Sequence, residues 1–243
     1  MISNLKLFKA FQNISPENFK NLEKNSELLE YEMGSIICNR DTIPSKVLFL
    51  LKGEARLLHE SKLQTIGKLG PGSCIGIASL LRVQGCEYIT ASKNVIAIAI
   101  PDHIIIKLYK EEISFKNWCS STVFLSEIYQ QFVSLTESIP RQEQEARQIM
   151  KNLLDNVNIQ CVNNGDKVKG AEDSEYFVGS GNILDKKIGA PINPNETITI
   201  RGDLLARILV FPKSIIQDLS KSSNNLNQKT KTIESNKNVQ EAS

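Results

Sequence analysis

The chain has 243 residues, 41% hydrophobic and 23% charged, with a formal net charge of +2. That is the composition of a globular protein long enough to bury a core, as one large domain or two small ones. No block of like charge points to a nucleic-acid or membrane surface, no apolar run approaches the ~20 residues that span a bilayer, and no signal-peptide pattern follows Met1, so a soluble, cytoplasmic segment is expected.

Leu5, Phe8, Phe11 and Ile14 recur at helical spacing. Ser15-Pro16 reads as an N-cap followed by proline in the first turn, opening a helix that turns Phe19 and Leu22 inward and ends by Asn25. From Leu28 the period shortens to that of strands. Leu29, Tyr31 and Met33 alternate, Gly34 turns the chain, and Ile36-Ile-Cys38 follows. After the polar turn Asn39-Arg-Asp-Thr42 come strands at 47–51, 55–58 and 63–69, with Gly53 and His59-Glu-Ser-Lys62 as turns. Turns every eight to twelve residues predict an antiparallel roll or sandwich.

The stretch Leu69-Gly-Pro-Gly-Ser-Cys-Ile-Gly-Ile-Ala-Ser-Leu-Leu81 is the centre of the chain. Gly70, Gly72 and Gly76 can take positive φ and let backbone amides approach a ligand. A glycine bend entering a short helix aims unpaired N–H groups at one point. Residues 87–93 and 94–100 then predict a last hairpin, Pro101-Asp102 caps a helix over 103–110, and Ser114 caps a longer one through Leu135. Along that helix Phe115, Trp118, Leu125, Ile128, Phe132 and Leu135 share one face, which either covers the roll or serves as a dimer or relay surface. Ile139-Pro-Arg141 breaks the pattern. Residues 142–154 are helical, with Ala146, Ile149, Met150, Leu153 and Leu154 inward. Short strands are expected at 157–162, 175–179, around Ile188 and at 197–201. Residues 204–211 are apolar up to Pro212, and Ile215, Ile216 and Leu219 suit a last helical turn or two. From Ser220 the composition is that of a disordered tail.

In order and spacing, Tyr31-Glu-Met-Gly34-Ser-Ile-Ile37, Asn39-Arg-Asp41, Val47-Leu-Phe-Leu-Leu-Lys-Gly53-Glu-Ala-Arg-Leu57, the glycine cassette, Glu87-Tyr-Ile-Thr-Ala91 and Val95-Ile-Ala-Ile-Ala-Ile100 resemble the cyclic-nucleotide-binding domain over roughly residues 5–137. The resemblance implies an α+β chain: a cyclic-nucleotide-binding-like double-stranded β-roll flanked by helices over residues 1–138, a helix and small β-rich segment over 139–219, and a tail over 220–243. In that family a glutamate in the cassette accepts the ribose 2′-hydroxyl, and an arginine pairs with the cyclic phosphate. Carried over, Gly76, Ala78, Ser79, Leu80 and Leu81 fit, but Ile77 stands at the glutamate position and Gly85-Cys-Glu87 at the arginine region.

A charge-assisted hydrogen bond contributes roughly 1.5–3 kcal/mol, so losing both anchors removes several orders of magnitude of affinity. Glu87 would repel an anion, and Arg82 is the only cation in the cassette able to stand in. The expectation is no micromolar binding of cyclic AMP or GMP. The candidate site is Gly72, Gly76, Ile77, Ala78, Ser79, Arg82 and Cys86, with Ile77 as apolar lining, holding an uncharged small ligand or staying empty. No metal or cofactor is expected.

The altered cassette, together with Leu205-Ala-Arg-Ile-Leu-Val-Phe-Pro212, is similar to the N-terminal region of bacterial peptidase-containing ABC secretion transporters. That similarity implies a non-catalytic regulatory or interaction module, with such a transporter or a second copy as partner. One rival is a catabolite-activator-type transcription regulator, with a helix-turn-helix around Asp203-Leu-Leu-Ala206 and Lys213-Ser-Ile-Ile216. Val210 and Pro212 fall badly for its turn, and basic residues are sparse, so a nucleic-acid partner is not favoured. Catalysis is the other rival. It would need Cys119 or Cys161 brought to His59 or His103, both read as surface histidines, and Glu111-Glu112 suits a solvated helix edge or turn. Five scattered cysteines read as reduced, mostly buried thiols. Arg201-Gly-Asp203 and Asn195-Glu-Thr197 match an adhesion tripeptide and a glycosylation sequon, both idle in a cytoplasmic chain.

Overall fold

The computed structural model describes residues 2–59, 64–136 and 143–218. The Glu60-Ser-Lys62 part of the expected turn, the Ile139-Pro-Arg141 break and the expected tail lie outside the described residues.

The chain opens with two 3-10 turns, Ile2–Leu7 and Lys9–Phe11, where one helix was expected. Helix α1 (Pro16–Asn25) follows, with the Ser15 hydroxyl accepting from the Asn18 amide. Strands β1 (Glu27–Tyr31), β2 (Ile36–Cys38), β3 (Lys46–Lys52), β4 (Ala55–Leu58), β5 (Thr65–Leu69) and β6 (Cys74–Ile75) lead to the short helix α2 (Ile77–Leu81). Then come β7 (Ile89–Ala91), β8 (Val95–Pro101), α3 (Asp102–Glu111), α4 (Ile113–Ser121), α5 (Leu125–Thr136) and α6 (Glu143–Asn156). The last strands are β9 (Asn158–Val162), β10 (Ser174–Val178), β11 (Pro191–Ile192) and β12 (Ala206–Pro212).

Two antiparallel four-stranded sheets, β1-β8-β3-β6 and β2-β7-β4-β5, build the expected roll. Period-two alternation sorts its side chains. On β3 and β8, Leu48, Leu50, Ala97 and Ala99 enter the core between the sheets. Val47, Phe49, Ile98 and Ile100 face the other way, against Leu5, Phe8, Phe11, Leu22 and the α3–α4 pair. Being buried on both faces, these strands read as near-continuous apolar runs.

The helix expected over 114–135 is two helices broken at residues 122–124. The Thr122 hydroxyl and amide both donate to the Trp118 carbonyl, and the Phe124 amide donates to Glu127. Ile128, Tyr129 and Phe132 on α5 are buried against the roll, so this part of the apolar stripe is a core face. His59, expected at the surface, is only 9% exposed and meets the Tyr129 ring edge-on, while His103 is exposed beside Asp102. Glu112 lies between α3 and α4, as a helix edge or turn was expected to, but it is not free in solvent. It accepts from the Ser15 amide, the Ser15 hydroxyl and the Asn18 side-chain amide, tying α1 to the α3–α4 junction.

The third sheet, β11-β10-β12-β9, packs on the roll through Phe177, Leu209 and Phe211. Its other face closes a small core of Val162, Val178, Ile183 and Ile208. Residues 197–201 make isolated bridges rather than a strand, and Pro191–Ile192 pairs where nothing was expected. The helix-turn-helix alternative is overturned here: β12 occupies its turn, paired on both sides by β9 and β10, and among the described residues beyond it only 213–218 are helical.

Candidate functional site

Gly72 (φ 91°) turns the chain under β3, its amide donating to the Leu50 carbonyl at 2.9 Å. Gly76 (φ 90°) follows β6 and opens α2. A Cβ at Gly76 would lie 2.8 Å from the Pro44 ring, so both the left-handed backbone and the space demand glycine. This is the bend-into-helix geometry that presents free amides to an anion.

The anion is supplied by the chain itself. Glu87 follows the cassette in an extended stretch and is only 3% exposed. Its Oε1 accepts from the Gly76 amide at 3.0 Å. Its Oε2 accepts from the Ser79 amide at 3.2 Å and the Ser79 hydroxyl at 2.8 Å. The same hydroxyl accepts from the Cys86 amide at 3.2 Å, fixing the loop that carries the acid. Burial pushes the Glu87 carboxyl above its usual range; these hydrogen bonds pull the other way without cancelling it. The expected repulsion of an anion is thus replaced by outright occupancy.

The other expected site residues are spread around this cradle. Ile77 and Ala78 are fully buried, but Ile77 packs with Leu80, Leu81 and Phe49 in the outer core and does not line the cavity as expected. Arg82 does not stand in for the missing phosphate-binding cation. Its side chain is wholly buried and runs away from the cradle, with Nε donating to the Gly179 carbonyl and both terminal nitrogens without a partner among the described residues. The Gly181 amide donates back to the Arg82 carbonyl at 2.7 Å, so the end of α2 is tied to the third sheet. Cys86 is buried and lines a separate polar cavity of about 510 Å³ with Arg40, Gln84 and Tyr129. Burial raises its thiol pKa, against the lowering effect of Arg82.

In front of Glu87 a cavity of about 290 Å³ opens inside the roll. Leu57, Leu69 and Ile89 line it from the strands; Val123, Phe124 and Leu125 line it from the α4–α5 junction. Gly72 is the only expected site residue on its wall, and Glu87 also lines it. Gly67 has no Cβ where the Leu125 side chain passes, which lets the junction sit close over the sheet.

That junction is held from the third sheet. Arg207 on β12 is 2% exposed. It donates through Nε to Glu127 Oε1 at 2.6 Å, through Nη1 to the Cys119 carbonyl at 2.8 Å, and through Nη2 to the Thr122 carbonyl at 2.8 Å and Glu127 Oε2 at 3.0 Å. Burial works against its charge, yet Glu127 overcomes this and the net direction of its pKa is up. Sequence reasoning missed the Glu127–Arg207 pair; its signal was a lone arginine within an apolar strand pattern.

Among the described residues no group of three or more His, Cys, Asp or Glu could hold a metal ion, and no helix is long and apolar enough to cross a membrane.

The family model for the cyclic nucleotide-binding domain matches residues 28–112, which run from β1 to the end of α3. With the two sheets described above, the match gives this part of the chain the cyclic nucleotide-binding β-roll fold. Among solved structures, the chain is similar to the regulatory domain of Toxoplasma gondii PKA crystallised with cAMP (12% identity, 95% of each chain covered, TM-score 0.44). It is also similar to a cyclic nucleotide-binding-like protein from Brucella abortus (22% identity, 45% of this chain and 97% of that one, TM-score 0.39). A third is the sensor domain of the transcriptional regulator DNR from Pseudomonas aeruginosa (10% identity, 48% and 86%, TM-score 0.44). No curated protein matches the chain.

Proposed function

We propose that this chain is a non-catalytic regulatory or interaction module that uses a cyclic nucleotide-binding fold without gripping cyclic nucleotides. The observation that carries this reading is Glu87, whose carboxylate takes the Gly76 and Ser79 donors that a phosphate would need. If Glu87 is ionised, a second anion about 4 Å away is opposed by about 4 kcal/mol at an effective dielectric near 20, roughly a thousandfold in affinity. If it is protonated the repulsion lapses, but the carboxyl still fills the cradle, its carbonyl oxygen still accepts there, and the one arginine of the cassette, Arg82, points elsewhere. Calorimetric titration with cyclic AMP and cyclic GMP tests the reading: no saturable heat is expected, and a micromolar Kd for either overturns it.

The chemistry of the thiols supports the non-catalytic part. Burial raises the pKa of Cys38, Cys74, Cys86, Cys119 and Cys161 alike, which disfavours the thiolate a nucleophile needs. The partner we propose is a peptidase-containing ABC secretion transporter rather than DNA or a second copy of the chain. Its support is the resemblance around Leu205-Ala-Arg-Ile-Leu-Val-Phe-Pro212, a run that the fold uses as a buried central strand. Co-purification of such a transporter, encoded beside this chain, is the expected result; failure of the two to associate when co-expressed overturns this part alone.

A further inference from the structure

The donors of the cradle are taken by Glu87, and the roll carries a cavity that Glu87 also lines. Its walls are mostly aliphatic and aromatic, Glu87 is among its lining residues, and the lysine on its wall, Lys68, is paired with Glu54 at 3.2 Å. An acid in the lining and a lysine already paired disfavour an anionic guest, while the apolar walls favour one that is hydrophobic. A cavity of about 150 Å³ admits one benzene ring, so the 290 Å³ here suits a molecule of about two or three fused rings.

The strap of residues 122–126 between α4 and α5 forms one wall of the cavity. Arg207 holds it at both ends, through the Cys119 and Thr122 carbonyls on one side and Glu127 on the other. The guanidinium also lies 5.6 Å from the centre of the Phe124 ring, and Phe124 is part of the cavity wall. Lifting the strap would strain the hydrogen bonds of a side chain rooted in the third sheet.

We propose that the roll cavity binds an uncharged, largely apolar small molecule, with Glu87 at its polar end and the 122–126 strap, latched by Arg207, as its door. This rests on the reading of the roll as a module that no longer holds cyclic nucleotides. The third sheet then has a part in the binding cycle, sensing or setting whether the door is shut.

The full chain is titrated with 1-aminoanthracene, an aromatic amine uncharged at neutral pH, and with 8-anilinonaphthalene-1-sulfonate, which adds an anion to a similar ring system. Saturable one-to-one fluorescence is expected with the amine, and binding about tenfold weaker or weaker still with the sulfonate. Val123→Phe, which fills the cavity from the strap, is expected to weaken the amine by about tenfold or more. Leu57→Phe fills it from β4 and serves if the first variant does not fold. Arg207→Lys keeps the charge but loses the fork, and is expected to raise the stopped-flow association and dissociation rates together by about tenfold with Kd little changed. No saturable binding of the amine, equal binding of the sulfonate, or indifference to both filling variants overturns the site. Unchanged rates in Arg207→Lys overturn the latch. A parallel cyclic AMP titration separates the two levels: binding there defeats the proposed function, whereas a silent amine with silent cyclic AMP defeats only this inference.

Discussion

Two buried glutamates, Glu87 in the roll and Glu127 beneath the third sheet, make opposite use of the same side chain. Glu127 is fully buried and faces a guanidinium at two points, and its partner Arg207 satisfies two more carbonyls. Glu87 is almost as buried, but its hydrogen-bond donors among the described residues are two amides and a hydroxyl. The first arrangement joins two parts of the fold. The second occupies the donors of a glycine bend. A buried carboxyl matched by an opposite charge becomes a joint that breaks hard; one matched only by dipoles becomes a site that titrates.

The largest expected effect tests the joint. Arg207→Met leaves Glu127 buried without a counter-charge and the Cys119 and Thr122 carbonyls without donors, so we expect a loss of about 3–5 kcal/mol in urea unfolding. Adding Glu127→Met removes the orphaned charge but not the orphaned carbonyls. The double variant should therefore recover only part of the loss, staying about 2 kcal/mol below the parent. Full recovery would mean that the carbonyl contacts contribute nothing.

The titrating site gives the next effect. Glu87 binds its proton more tightly folded than unfolded, where its value is about 4.5. Its stabilising contribution is therefore full below that value and fades as pH rises through the folded pKa, at most about 1.4 kcal/mol per pH unit. Half-buried carboxyls held by hydrogen bonds, such as Glu54 and Glu112, have lowered values and act in the opposite sense, gaining as pH rises. The difference between parent and Glu87→Gln isolates the buried group: as pH rises above about 4.5 the parent should lose ground to the variant. Parallel stability curves would show that Glu87 is ionised throughout.

Much of this was legible in the sequence, and the unread part has a physical cause. Alternation in Val47-Leu-Phe-Leu-Leu51 and Val95-Ile-Ala-Ile-Ala-Ile100 gave the two-faced strands, because period-two burial is written locally. Ser15-Pro16 gave the start of α1 for the same reason. The break between α4 and α5 is capped locally by Thr122 and Glu127, but the side chain that also holds it, Arg207, is more than eighty residues away and was not readable. The missing arginine and ribose acid could be read as losses at Cys86 and Ile77. That Glu87 would turn into the cradle could not, since repulsion of a ligand and replacement of one begin from the same residue. Arg82 was misplaced because a lone cation near a phosphate motif looks like a ligand until Gly179, nearly a hundred residues on, claims it.

The smallest effect distinguishes the two glycines of the cassette. Gly72→Ala and Gly76→Ala impose the same left-handed strain, about 1–2 kcal/mol, because both have φ near 90°. Space separates them: a methyl at residue 72 meets nothing within 4 Å, while one at residue 76 presses on the Pro44 ring at 2.8 Å and the Lys46 carbonyl at 3.2 Å. Thermal unfolding should place Gly76→Ala about 1 kcal/mol below Gly72→Ala. The displacement also pulls the Gly76 amide from Glu87, removing a bond that favours the ionised acid. Gly76→Ala should then raise the Glu87 pKa further and widen the pH window over which the protein weakens, whereas Gly72→Ala should shift stability equally at every pH. If both variants lost the same stability with the same pH profile, the cradle would be yielding freely around Gly76, and the grip of its amides on Glu87 would be incidental.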